Sequence, residues 1–196
     1  MSGVEIIDYL LQMPKYSVQD NVCQKQIKKG EYLYHPGETQ NWIYMINNGA
    51  MKIGSYSAEG EEVVYDIVVL GETLGDLDYL NDVVFFEYSK ALCATHVTGF
   101  RTPFFKNIII QEPIIAEWFQ QAIVRRWWKA ENRLFLMTRG NIDARLSSLQ
   151  KQFEKVIVDA NGKVCSLSDV LSTQDWADLT GVTRQTIAKK MKTHLV

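Results

Sequence analysis

The stretch from Glu112 to Arg139 leaves this chain the fewest choices. Pro113 suits the first turn of a helix, where its missing N–H costs nothing, and Gly140 suits the position just past the end, where left-handed backbone is common. Between them Ala116, Ile123, Trp127, Ala130, Leu134 and Met137 recur at alternating steps of three and four, interrupted only by Gln120, which is the pattern of a heptad seam. Val124, Trp128 and Phe135 form a second stripe beside the seam, and Ile115, Phe119 and Ala122 lie on its other flank. A helix apolar over most of its circumference is buried on more than one side. The expected arrangement sets one face on the chain's own body and the seam, with Ile123, Trp127, Ala130, Leu134 and Met137 in contact, on a second copy. The alternative is a central core helix of a monomer.

Net charge is −2, so any affinity for nucleic acid must be local. Cys23, Cys93 and Cys165 are isolated and odd in number, and no Cys-x-x-Cys pair occurs. Neither a metal site nor a disulfide framework is supported, and free thiols suit a reducing cytoplasm. No basic-then-apolar leader and no apolar run of membrane-spanning length is present, so a soluble cytoplasmic protein is expected.

Residues 4–14 read as a short amphipathic helix ended by Pro14. From about Val22 to Phe105 the period becomes alternating. Tyr32–Tyr34, Trp42–Ile46, Met51–Tyr56, Val63–Leu70 and Ala91–Val97 are short and rich in aromatic and β-branched residues, as strands are. Gly30, Gly37, Gly49, Gly60, Gly71 and Gly75 punctuate them with turn chemistry. Short strands at this spacing predict an antiparallel sandwich or barrel, making the chain α+β.

After the long helix, Asn141 caps a second amphipathic helix with Ile142, Leu146, Leu149, Phe153 and Val156 as its buried stripe. Asp159–Gly162 reads as a turn and Lys163–Leu167 as a short strand. Ser172, with Asp175 three residues on, makes a variant capping box for a helix that packs through Trp176, Ala177 and Leu179. Gly181 allows a tight turn and Val182 plugs the angle. Thr183 caps the next helix, whose Ile187 and Met191 face back. Ala177, Gly181 and Ile187 stand where a helix-turn-helix needs them. Arg184, Gln185, Ala188 and Lys189 are left on the outward face, residue types that reach base edges and phosphates. From Val182 onward the sequence carries Arg184, Lys189, Lys190 and Lys192 and no acid. Thr173, Thr183, Arg184, Gln185, Thr186, Lys189, Lys190 and Lys192 are therefore the candidate DNA-contacting residues.

Lys28–Glu31, Pro36–Glu38, Ile43–Ile46, Gly49–Ile53, Gly60–Glu62 and Gly71–Leu77, in this order, resemble the cyclic-nucleotide-binding barrel of the Crp/Fnr family of bacterial transcription factors. The resemblance implies a jelly-roll sensor barrel over residues 1–110, a dimerisation helix over 111–140 and a helix-turn-helix over 141–196 that in the family is winged, the wing being expected absent here. It also implies double-stranded DNA carrying an inverted repeat as partner, and RNA polymerase as a further one.

In nucleotide-binding members a Gly-Glu-Leu segment meets the ribose and an arginine shortly after it neutralises the phosphate. Here Gly75-Asp76-Leu77 stands in the first place, Tyr88-Ser89 falls where the arginine is expected, and no arginine occurs between Ile53 and Phe100. Lys90 is the only base among Glu72, Asp76, Asp78, Asp82 and Glu87 in that part of the chain. Carboxylates without a positioned cation disfavour a phosphodiester. No cofactor is expected, and a cyclic nucleotide in particular is not. Gly75, Asp76, Leu77, Tyr88, Ser89 and Lys90, with Trp127 and Trp128 below, mark the candidate effector pocket. No paired histidines, nucleophile–base pair or phosphate loop is visible, so no enzyme or metal site is expected. The expected function is a homodimeric sequence-specific transcription regulator. A module of the same fold that has lost DNA binding is the alternative.

Overall fold

A computed structural model describes residues 3–12, 20–38, 41–76, 80 and 85–194. Helix α1 spans Gly3–Gln12. Strands β1 (Val22–Ile27), β2 (Tyr32–Tyr34), β3 (Trp42–Asn48), β4 (Ala50–Tyr56), β5 (Glu62–Val69), β6 (Thr73–Leu74), β7 (Tyr88–Ala91) and β8 (Thr95–Arg101) follow. They form two antiparallel four-stranded sheets, ordered β1-β8-β3-β6 and β2-β7-β4-β5. Alternate residues of both sheets, among them Ile46 and Val97 of the first and Met51, Ile53 and Val68 of the second, meet in one buried cluster, so the sheets pack face to face.

All six turn glycines between these strands have positive φ. Gly49 is the most constrained, because a Cβ there would lie 2.5 Å from Thr95 Oγ1 and 2.7 Å from the Ala94 carbonyl. The strand expected over Ala91–Val97 is two strands. Residues 92–94 bend the chain from one sheet to the other, and its partners change from β4 to β1 and β3. Helix α2 (Thr102–Gln111), where strand periodicity was expected to run to Phe105, begins at Thr102-Pro103, a helix-starting pair.

Helix α3 runs Pro113–Arg139. Gly140 does not take the expected left-handed conformation; its φ is −78° and its ψ 145°. Its lack of a side chain serves a close approach instead, since a Cβ would sit 2.7 Å from the Leu136 carbonyl. The C-terminal carbonyls of α3 are capped by Arg145, whose Nε donates to Leu136 O and Gly140 O and whose Nη2 donates to Met137 O at 2.7 Å. The remaining guanidinium nitrogen, Nη1, donates to Thr180 O and so ties the helix end to the C-terminal unit.

That unit comprises α4 (Ile142–Phe153), the hairpin β9 (Val156–Val158) and β10 (Val164–Ser166), α5 (Leu167–Val170), α6 (Thr173–Thr180) and α7 (Arg184–His194). Val156, expected on the buried stripe of α4, lies in β9 and is exposed. Leu146, Leu149, Phe153, Trp176, Leu179 and Ile187 form the core of the unit, and Val64, Ile67 and Leu92 of the barrel join the same cluster. The C-terminal unit is thus docked on the barrel. No described helix is long and apolar enough to cross a membrane.

Candidate functional site

Two places carry the chemistry: the junction of the barrel with α3, and the exposed face of α7.

At the junction, Glu87, immediately before β7, and Ser89 within it face the inside, while Tyr88 and Lys90 face the outside. This follows from strand parity, because Tyr88 and Lys90 pair with Gly54 and Lys52, and Lys52 points at the C-terminal unit. Inside, Glu87 accepts from Tyr34 Oη and Tyr65 Oη, both at 2.8 Å, and Tyr34 Oη in turn accepts from the Gly75 N–H at 3.2 Å. Burial raises the Glu87 carboxyl above its ordinary value, against the pull of Arg126 and the two hydroxyls. Burial, followed by the Glu87 charge, pushes the Tyr34 hydroxyl well up, so it remains a proton donor.

Arg126 of α3 enters the same junction. Its Nη1 lies 2.7 and 2.8 Å from the two Asp76 oxygens and its Nε 3.7 Å from Asp66 Oδ2. Burial works against its charge, yet Asp76, Asp66 and Glu87 hold its pKa above the ordinary value. Lys129 pairs with Glu72, and Arg133 Nη2 lies 3.4 Å from Asp66 Oδ1. Arg126, Lys129 and Arg133 follow at steps of three and four, so one face of α3 meets the barrel through ions. The cavity beside this cluster measures about 50 Å³, well under the roughly 300–1,000 Å³ of small-molecule pockets.

The predicted effector residues are only partly brought together. Gly75 and Asp76 lie at the junction, and Ser89 faces inward with its Oγ 3.8 Å from Met51 Sδ. Leu77 lies outside the described residues. Tyr88 and Lys90 are on the opposite face of the sheet. Tyr88 packs edge-on to Tyr32, and Lys90 Nζ bonds Glu62 Oε1 and Tyr32 Oη, each at 2.9 Å. Lys90 is therefore not a cation of the barrel interior. Trp127 and Trp128 are 62% and 65% exposed on α3 rather than beneath a pocket. Arg126 is the residue that reading the sequence missed. It lies far along the chain from the barrel, and its one available signal is its spacing with Lys129 and Arg133.

Along α3, Ile115, Trp118 and Phe119 are buried against α1 and α2. Beyond them the own-body face is ionic. The apolar residues Ile123, Val124, Trp127, Trp128, Leu134 and Phe135 stay exposed, as does Ala130. Met137 is half-buried toward the C-terminal unit, its Cε 3.5 Å from where a Gly181 Cβ would stand.

On the C-terminal unit, Ser172 and Asp175 form the reciprocal capping box, Asp175 N donating to Ser172 Oγ at 3.1 Å and Ser172 N to Asp175 Oδ2 at 2.8 Å. Gly181 adopts φ 68°, which turns the chain from α6 into α7. Thr183 Oγ1 accepts from Thr186 N and lies 2.9 Å from Thr186 Oγ1. Thr173 opens α6, half-buried. Arg184, Gln185, Lys189 and Lys192 are exposed, whereas Ile187 is fully buried. Lys190 Nζ lies 2.6 Å from Asp143 Oδ1 in an exposed ion pair.

The cyclic nucleotide-binding domain family matches residues 24–112. The global nitrogen regulator of Synechococcus elongatus is 25% identical over 171 residues, which is 84% of this chain and 75% of that protein. The CRP-like cAMP-activated global transcriptional regulator of Mycobacterium tuberculosis is 22% identical over 168 residues, 83% of this chain and 73% of that protein. Among solved structures, FixK2 from Bradyrhizobium japonicum aligns with TM-score 0.70 at 14% identity over 88% of this chain and 83% of that one. A CRP/FNR-family transcriptional regulator from Thermus thermophilus aligns with TM-score 0.69 at 14% identity over 87% and 84%. The two sequence relatives are regulators, not enzymes.

Proposed function

We propose that the chain, whose residues 24–112 match the cyclic nucleotide-binding domain family and whose sequence relatives are regulators, is a transcription regulator of the Crp/Fnr family and a homodimer that reads an inverted-repeat DNA site with α7. The observation that carries this reading is the face of α7. Arg184 and Gln185 stand exposed in its first turn, while Ile187 anchors the helix from behind. In a helix that enters the major groove these are the positions that meet base edges. Arginine forks onto guanine and glutamine pairs with adenine, while a lysine such as Lys192 serves phosphate. The apolar stripe of α3 supports the dimer, since the six large apolar side chains exposed between Ile123 and Phe135 form a patch of the kind that marks an interface.

The effector of this regulator is not a cyclic nucleotide. Arg126 is the cation of the junction, and Asp76, Asp66 and Glu87 already surround it. A phosphodiester placed there would compete with three carboxylates for one guanidinium.

Fluorescence anisotropy of a labelled random duplex tests the DNA reading. Binding is expected at 50 mM salt, weakening linearly in log–log form as salt rises. No binding at 50 mM would overturn it and leave a sensor or interaction module.

A further inference from the structure

We propose that the groove where α3 meets α4 and α6 is a binding site for a small organic acid with a flat apolar body. The groove has a volume of about 410 Å³, within the range of small-molecule sites. Trp128 and Leu136 of α3, Leu149 of α4 and Leu179 of α6 supply its apolar surface, and among the described residues no aspartate or glutamate lines it. Trp128 is 65% exposed and stands one position off the Ile123–Met137 seam, on the side of α3 that lines the groove.

The charged groups that line it are all cations, beside neutral Asn132, Ser148 and Gln152. Lys129 and Arg133 spend their charges on Glu72 and Asp66, and Arg145 spends its donors on helix-end carbonyls. Lys151 and Lys155 have no ion-pair or hydrogen-bond partner for their ammonium groups among the described residues, and both line the groove. Arg133 Nε is buried and meets no acceptor among the described residues. An aromatic or alicyclic ring lies on Trp128 and the leucines, and the acid group faces Lys151 and Lys155.

Position gives the site its consequence. An occupant touches α3, which carries the dimer seam, and Leu179 of α6, which carries the reading helix behind it. Binding therefore biases the angle between the two. This coupling rests on the DNA-reading proposal; the binding itself does not.

Calorimetry of the full chain without DNA tests the site, using 1-naphthoate and 1-naphthylmethylammonium, which share a ring system and differ in charge. One naphthoate per chain is expected, at least tenfold tighter than the ammonium. Lys151→Ala with Lys155→Ala should weaken naphthoate at least tenfold, and because both lysines are exposed the far-ultraviolet spectrum should not change. Equal affinities for the two probes, or an unaltered affinity in the double variant, would overturn the proposal. DNA anisotropy with and without naphthoate is measured separately, so a chain that fails to bind DNA can still pass or fail this test.

Discussion

Lys52 on the barrel lies 2.8 Å from Asp175, the residue that closes the capping box of α6. The Asp175 side chain is 3% exposed and that of Lys52 15%, so the pair is largely out of water. Beside it the Val64 N–H donates to Asp178 Oδ2 at 2.9 Å. Two carboxylates of one short helix thus fasten the C-terminal unit to the outer face of the sheet. Lys52→Met keeps the stem and removes the charge, and should cost about 2 kcal/mol, the scale of a hydrogen bond to a charged group. Hydrogen exchange at Val64 should accelerate. Unchanged exchange there would mean that the apolar contacts alone hold the unit.

Arg126→Ala leaves Asp76 and Asp66 without their shared guanidinium. Loss of one partner of a buried pair predicts a cost of about 3 kcal/mol, read as a lower urea midpoint. Arg126→Lys should recover only part of it, because a single ammonium cannot face Asp76 and Asp66 at once as Nη1 and Nε do. Wild-type protein should bind neither cyclic AMP nor cyclic GMP more tightly than about 100 μM, equivalent to about −5.5 kcal/mol. Micromolar heats in a calorimeter would contradict this and direct attention to Arg126 as the phosphate's partner.

Glu87 gives a pH signature. Its carboxyl is raised in the fold by burial, so the native state holds its proton more readily than the unfolded chain does. That contribution favours folding below the ordinary carboxylate pKa and is lost as pH rises through the raised value. Glu87→Gln removes the titration. Relative to wild type, the variant should therefore be more stable at pH 8 than at pH 4 by urea unfolding. A difference that does not depend on pH would show that the Glu87 proton plays no part in stability.

Trp127→Glu with Leu134→Glu places charges on the seam of α3. Burying an unpaired charge costs several kcal/mol, while in the monomer both side chains are exposed. Sedimentation should show a folded monomer for the variant and a dimer for the wild type. A monomeric wild type at micromolar concentration ends the dimer proposal.

Arg184→Ala should cost about 1–3 kcal/mol on a selected duplex and relax preference at one base pair in each half-site. Lys192→Ala should weaken all sequences alike and flatten the salt slope. An unchanged base preference in Arg184→Ala would place the reading head elsewhere.

What the residues determined by themselves is local. Glycine at six turns, the Ser172–Asp175 box, the Asn141 cap and the Gly181 turn each act within about four residues, and each is where the chain pattern put it. The heptad pattern likewise named the exposed stripe of α3, because side-chain direction along a helix follows from spacing alone. Gly140 shows the edge of such reasoning: the residue type was legible, but its use, room for the Leu136 carbonyl, depended on a contact. The tertiary structure decided which face of β7 looks inward, and with it the exclusion of Tyr88 and Lys90 from the interior. A strand started three residues late hid that parity. Only the fold could bring Arg126 to Asp76, fifty positions away, or Asp175 to Lys52, 123 away. Partner choice at such separations is not written in spacing. It is set by which surfaces the packed sheets and helices leave facing each other, and there a carboxylate pairs with whatever cation the geometry delivers.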